Sequence, residues 1–102
     1  MKYLQRSDVE KIGRCGAHSY IDVLDGKPIR VSRQLSSYWV ASNLVDKGMS
    51  EHLMEDGFWE AWITLWISRF VAPNSVCIDA GANYGYFTFQ LAKNGCKVYA
   101  ID

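Results

Sequence analysis

The stretch that decides the fold reads VCIDAGANYGYFT over residues 76–88, with KVYAID over residues 97–102. Each segment opens with five residues of strand-like, largely apolar character. Between them, residues 84–93 have the mostly apolar face of a helix, and Asn94-Gly95 predicts its end because glycine readily takes left-handed backbone. The order strand, glycine-rich turn, helix, strand predicts an α/β fold with two buried parallel strands and a right-handed crossover.

The turn reads DAGANYG, from Asp79 to Gly85. A glycine-rich turn between a strand and a helix brings the backbone close to a ligand and aims N–H groups at it, roles that Gly81 and Gly85 fit. Asn83 occupies a position where many such loops have a glycine. We expect it to take left-handed backbone, which asparagine tolerates better than most residues.

Two phosphate-binding patterns fit this turn poorly. The dinucleotide fingerprint Gly-x-Gly-x-x-Gly, counted from Gly81, meets Asn83 and Tyr86 where its second and third glycines belong. The Walker loop ends in Gly-Lys-Ser/Thr, which this turn lacks. A nucleotide-binding oxidoreductase is therefore a weaker interpretation than a fold that binds a ligand without phosphate.

The same residues resemble those of the FkbM-type methyltransferases, which use S-adenosylmethionine. The family pattern is D-x-G-A-N-x-G-Y-[FY] followed by V-x-A-[FI]-[ED], and the segments at 76–88 and 97–102 match it. The upstream residues 57–60, GFWE, resemble the G-x-x-E that often precedes the loop. The resemblance is clear over residues 74–102 and weaker back to residue 57. It implies a Rossmann-like class I methyltransferase fold, of which only the first βαβ unit is present.

The resemblance also implies a cofactor site. S-adenosylmethionine carries a sulfonium and an ammonium but no phosphate, so acidic side chains suit it. Asp102 would hold the ribose hydroxyls, as an acidic residue does in dinucleotide folds, and Glu60 would reach the amino acid end of the cofactor. No catalytic base or metal ligand is assigned. The residues implied to line the methionine side are Asp79, Gly81, Asn83, Gly85 and Tyr86.

The implied reaction is O-methylation of a hydroxyl on a sugar or small metabolite, and the acceptor is a small molecule or glycan. The adenine pocket and substrate pocket of the family come from later strands. We therefore expect the chain to be an amino-terminal fragment that binds cofactor weakly or not at all and is inactive alone. A non-catalytic or degenerate interaction domain, associating with another chain or copy through its aromatic helix, is the alternative.

Upstream of residue 57 the sequence predicts an N-terminal arm over 1–17, then a hairpin and helical cap region over 18–56, before the cofactor domain at 57–102. Strands through Tyr20–Leu24 and Ile29–Val31 flank Asp25-Gly26, a pair typical of a type I′ turn. Pro28 has no N–H and predicts that the second strand lies at an edge.

The remaining segments are predicted to be helical. Residues 35–45 form a short helix that ends at Gly48, and residues 50–55 form one more turn. A longer helix over residues 58–71 is capped by Asp56 and stopped by Pro73. Its only polar stripe is Glu60, Thr64 and Ser68, so we expect burial on several sides.

The amino-acid composition limits the partners and the cellular compartment that we expect for the chain. Eleven basic and eleven acidic residues leave no net charge, which disfavours a nucleic-acid partner. The three cysteines, Cys15, Cys77 and Cys96, show no paired spacing, so we expect reduced thiols and a cytoplasmic protein. No segment has the roughly 20 apolar residues of a membrane span. A homo-oligomer is left open.

Overall fold

The structure, a computed structural model, describes residues 5–10 and 18–102. The chain divides into two compact units. One consists of Gly13–Trp59, and the other consists of Met1–Ile12 together with Glu60–Asp102. Together the elements make a small mixed α/β protein. In chain order they are α1 (Arg6–Glu10), β1 (Ser19–Leu24), β2 (Lys27–Gln34), β3 (Tyr38–Asn43), α2 (Met49–Asp56), α3 (Ala61–Phe70), β4 (Val76–Ala80), α4 (Tyr86–Lys93) and β5 (Lys97–Ile101).

The Gly13–Trp59 unit contains an antiparallel sheet in the order β1-β2-β3. The predicted hairpin is confirmed, since Asp25 and Gly26 both have positive φ, 51° and 76°. The edge position predicted from Pro28 is wrong, because β2 is the central strand. Pro28 pairs with Val23 on β1, one step from the turn, where a residue's N–H points away from its partner. The β2–β3 pairing starts only at Ile29, so no ladder bond is lost.

Strand β3 replaces the helix predicted over residues 35–45. Leu35 and Ser36 both have left-handed backbone, with φ of 50° and 54°, and reverse the chain into a second hairpin. Tyr38, Trp39 and Val40 favour a strand. The period of two was hard to see because serine, Ser42, occupies the buried position after Val40. The helical turn predicted at residues 50–55 is confirmed as α2.

The second unit contains the predicted βαβ segment. Strands β4 and β5 are parallel, with Val76 opposite Lys97 and Ala80 opposite Ile101. Helix α4 starts at Tyr86, two residues later than predicted, and ends at Lys93 as expected, before Gly95, whose φ is 93°. The N–H groups of Gly95 and Cys96 close the last turn through the carbonyls of Ala92 and Leu91, at 3.0 and 3.1 Å.

Helix α3 is shorter than the predicted 58–71 helix. It begins at Ala61, after Glu60 in left-handed backbone with φ of 49°. The cap predicted from Asp56 is wrong, because Asp56 is the last residue of α2 and Gly57 terminates that helix with φ of 71°. The α2 helix therefore includes the residue that was predicted to cap α3.

The burial on several sides predicted for α3 is also wrong, because only Thr64 and Ile67 are buried. Thr64 is 2% exposed, whereas Trp62, Trp66 and Phe70 are 50%, 52% and 40% exposed. Thr64 Oγ1 and Tyr86 Oη share a hydrogen bond of 2.9 Å, and Gln90 Nε2 donates to the Thr64 carbonyl at 2.8 Å. Partners on α4 thus satisfy Thr64, and the aromatic side of α3 is left at the surface.

The two-stranded sheet has one covered face. Cys77 and Asp79 lie on the side of α4, while Val76 and Ile78 on the opposite face are 68% and 70% exposed. The prediction of fully buried strands is therefore wrong for this face. The apolar core of the unit consists of Ile67, Leu91 and Cys96, with Val71, Cys77, Phe87 and Val98 packed against them.

Within the arm predicted over 1–17, the structure contains the short helix α1. Arg69 on α3 donates to both carboxylate oxygens of Asp8, at 2.8 and 3.4 Å, and so holds α1 against α3. The rest of that arm, including Cys15, lies outside the described residues. In the described part of the chain, no helix combines the length and apolarity needed to cross a bilayer.

Candidate functional site

The candidate site is the turn between β4 and α4, together with the end of β5. Because β4 and β5 are parallel and Ala80 is paired with Ile101, their carboxyl ends lie side by side. Ligands of open α/β sheets bind at this edge. Of the residues predicted from sequence, the structure brings Gly81, Asn83 and Asp102 together here.

The turn is built from three left-handed residues at alternate positions. Gly81, Asn83 and Gly85 have φ of 70°, 52° and 88°, so the conformation expected for Asn83 is confirmed. The two glycines avoid the cost that a Cβ imposes in this region. A Cβ at Gly81 would meet no heavy atom within 4 Å, which keeps this side of the turn open.

The first N–H groups of the turn bind the end of β5. Those of Gly81 and Ala82 both donate to the Ile101 carbonyl, at 2.6 and 3.0 Å. The N–H of Asn83 donates to Asp102 Oδ1 at 3.3 Å. Successive N–H groups of this kind commonly cradle an anion in phosphate sites. Here their acceptors belong to the protein, which makes the turn a poor phosphate cradle.

Asp79 lies beneath the start of α4. Its carboxylate Oδ2 accepts a hydrogen bond of 2.6 Å from Thr88 Oγ1, and its side chain is half-buried. A carboxylate oxygen only accepts, so the hydroxyl donates. The bond occupies Oδ2 and orients the Asp79 carboxylate. Asp102, in contrast, is exposed.

Two other predicted site residues lie differently from expectation. Tyr86 is fully buried, and its hydroxyl is bound to Thr64, so any contact with a ligand at the turn would come from its backbone. Tyr86 is the most buried aromatic of its helix, whereas Phe89 is 46% exposed. Glu60 is an exposed residue at the start of α3, and no bond ties it to the turn.

The charge of the site is negative. Residues 74–92 contain Asp79 and no lysine or arginine, and Asp102 adds a second carboxylate. Such a site favours a ligand with positive charge and hydroxyl donors. Within the described residues, no three His, Cys, Asp or Glu side chains are grouped to hold a metal ion.

The thiols of this unit are unsuited to nucleophilic chemistry. Cys77 and Cys96 are both free, and Cys96 is buried. Burial raises the pKa of the Cys77 thiol, and a hydrogen bond with the Cys96 thiol raises it further. Since the thiolate is the reactive form, a raised pKa makes Cys77 a poor nucleophile at neutral pH.

Sequence reasoning missed Thr88 as a part of this site. The sequence does contain a signal for this contact, because Thr88 is the third residue of α4 and follows Asp79 by nine positions across the turn. A hydroxyl in the first turn of a helix that packs on a strand can reach a carboxylate at that strand's end. The apolar residues on either side of Thr88 indicate the core instead.

No protein-family model, curated protein or solved structure matches the chain.

Proposed function

We propose that the chain carries the cofactor-binding turn of an S-adenosylmethionine-dependent methyltransferase. The observation that carries the proposal is the way the turn uses its N–H groups. Those of Gly81, Ala82 and Asn83 donate to the end of β5, and two carboxylates flank the turn. This donor set suits a cationic ligand without phosphate.

Different residues of the site would contact different parts of the cofactor. Asp79, held by Thr88, would face the ammonium and sulfonium end of S-adenosylmethionine. Asp102 gives one oxygen to Asn83 and keeps Oδ2 for the ribose hydroxyls. The open face of Gly81 allows the ligand to approach the backbone closely. The bound cofactor supplies an electrophilic methyl group, and the chain's own residues bind and orient it.

The proposed reaction is methyl transfer to a hydroxyl oxygen of a sugar or small metabolite. Methyl transfer is an in-line displacement, so its rate depends chiefly on how the two reactants are positioned. Residues that bind the acceptor or remove its proton are not assigned. We propose in addition that the chain has the Rossmann-like class I fold and is a member of the FkbM family.

A titration with S-adenosylhomocysteine, followed by amide NMR of the 102-residue chain, tests the proposal. We expect weak binding, with a dissociation constant on the order of 1 mM. Shifts should be largest at the amides of residues 81–85 and at residue 102, because these flank the proposed ligand. ATP at the same concentration should cause smaller shifts, since its phosphates meet two carboxylates.

Matched variants make the titration specific. Gly81→Val should abolish the shifts, whereas Gly26→Val should not, although Gly26 has a similar φ of 76° and equally open surroundings. Asp102→Ala should weaken binding, and Asp22→Ala, on the exposed strand β1, should leave it unchanged. Binding that survives both Gly81→Val and Asp102→Ala would overturn the cofactor assignment, as would a titration without shifts.

A second candidate function rests on a different observation. The exposed side of α3 presents Trp62, Ile63, Trp66 and Phe70, and the rings of Trp66 and Phe70 lie 5.7 Å apart. Aromatic side chains of this kind are enriched in the centres of protein interfaces. The chain would then act as an interaction domain that associates with a second copy, which sedimentation velocity tests.

A further inference from the structure

We infer that Thr88 is the positioning residue for Asp79, and that its hydroxyl selects the carboxylate orientation that a ligand at the turn meets. The inference deepens the proposed function and rests on it where a ligand is concerned. Its structural part, that one hydroxyl fixes the Asp79 side chain, stands on the geometry of the ligand-free protein.

The bond between the two side chains is short and sheltered. Thr88 Oγ1 and Asp79 Oδ2 are 2.6 Å apart, in the usual range for a hydroxyl that donates to a carboxylate. Both side chains are half-buried between β4 and α4. A bond that is partly shielded from water holds its geometry better than an exposed one.

The backbone on both sides of the bond is fixed. Asp79 is paired with Ala100 in the parallel ladder, and Thr88 belongs to the first turn of α4. The N–H of Phe89 donates to the Gly85 carbonyl at 2.9 Å, which anchors that turn. Threonine is stiff at χ1, so its hydroxyl has few directions to choose from. The Thr88 hydroxyl therefore approaches the Asp79 carboxylate from one direction.

The orientation of the Asp79 side chain matters because Asp79, unlike Asp102, lies in the paired part of the sheet, so its backbone is held in place. No lysine or arginine occurs in residues 74–92 to compete for it. With Oδ2 bound to Thr88, Oδ1 remains for a cationic or N–H donor of the ligand. Without the hydroxyl, the carboxylate would spread over the staggered rotamers that its backbone allows.

Thr88→Val and Thr88→Ser separate the hydroxyl from the shape of the side chain. Valine keeps the volume and loses the donor, whereas serine keeps the donor. The matched control is Thr64→Val, since Thr64 is the other threonine of the chain and its hydroxyl binds Tyr86. This control also removes a hydrogen-bonded hydroxyl, so it accounts for a general loss of stability.

The first measurement is the χ1 distribution of Asp79, taken from three-bond NMR couplings in the ligand-free 102-residue chain. We expect one rotamer in the wild type, in Thr88→Ser and in Thr64→Val, and averaged couplings in Thr88→Val. A single unchanged rotamer in a folded Thr88→Val variant would overturn the inference, because Asp79 would then be held by something else.

The second measurement is the affinity for S-adenosylhomocysteine, from the titration described above. Thr88→Val should weaken it by about threefold, the factor for a side chain that spreads over three rotamers, and Thr88→Ser should restore it. Averaged couplings with unchanged affinity would overturn the role of Asp79 orientation in binding. A wild-type chain that shows the single rotamer but binds nothing would overturn the proposed function and leave the Thr88–Asp79 pairing established.

Discussion

Gly81 and Gly85 share left-handed backbone but differ in what surrounds them. A Cβ at Gly81 would point into open space, whereas a Cβ at Gly85 would lie 3.1 Å from Cε2 of Phe89. Left-handed backbone costs a residue with a Cβ roughly 1–2 kcal/mol. The two positions therefore separate backbone strain from steric contact within one turn.

We expect Gly81→Ala to lower the free energy of unfolding by about 1 kcal/mol, and Gly85→Ala to lower it by about 2 kcal/mol. Urea denaturation, followed by the amide signals of β4 and β5, measures both values. Combining Gly85→Ala with Phe89→Ala should remove the difference between them, because the ring is its cause. Equal effects of the two single variants would contradict this account.

For individual residues, the backbone conformation was predictable from the sequence, and the direction of the side chain was not. The left-handed Asn83 and the terminating Gly95 follow from local sterics, which the sequence carries. The inward direction of Tyr86 depends on Thr64, a partner 22 residues away. Without knowledge of that partner, a tyrosine beside a glycine-rich turn looks like a ligand contact.

The α3 and α4 helices meet through polar side chains. Besides the Thr64–Tyr86 pair, Gln90 Nε2 contacts Ser68 Oγ at 3.2 Å, and Ser68 Oγ donates to the Thr64 carbonyl at 3.1 Å. Buried hydrogen bonds contribute little net stability when made but are costly to break. The polar contact therefore favours the orientation of α3 in which Thr64 faces α4.

Tyr86→Phe should lower the free energy of unfolding by about 1 kcal/mol, because it removes a buried hydrogen bond without changing the ring. The matched control is Tyr99→Phe on β5, where the tyrosine is 51% exposed and the loss should be close to zero. Thermal denaturation of both variants measures the difference. A double-mutant cycle with Thr64→Val should show coupling, and additive effects would contradict the pairing.

Elements with strong local signals were predictable, and those defined by distant partners were not. Strands β4 and β5 and the β1–β2 hairpin follow from apolar runs and turn residues. Strand β3 was hidden because its buried position 42 is a serine, whose hydroxyl lies 2.7 Å from that of Ser50 on α2. The burial on several sides predicted for α3 was wrong for a similar reason, because Thr64 is buried where an apolar residue is usual.

Each of the two units places polar side chains inside. In the Gly13–Trp59 unit, Gln34 is fully buried and its Nε2 donates to the Leu53 carbonyl at 3.0 Å. In the other unit, Thr64 and Gln90 are buried while Trp66 is not. A protein with this distribution has less apolar burial than its hydrophobic content of 49% suggests, and its exposed aromatic surface favours association.

We expect sedimentation velocity of the wild type to show self-association that grows with concentration, and Trp66→Glu to abolish it, because a charge on the exposed side of α3 opposes apolar contact. Trp39→Glu is the matched control, since Trp39 is similarly exposed, at 46% against 52%, but lies on β3. It should associate like the wild type. A wild type that stays monomeric up to about 100 μM would rule out the interaction-domain candidate.

The bonds from the turn to the end of β5 have a kinetic consequence. Because Gly81, Ala82 and Asn83 are already tied to Ile101 and Asp102, the turn has its shape before any ligand arrives. Binding then needs no loop ordering, and its entropic cost is correspondingly small. The ligand proposed for this turn would therefore bind and leave without a loop-ordering step, and differences in its affinity would arise mainly from how quickly it leaves.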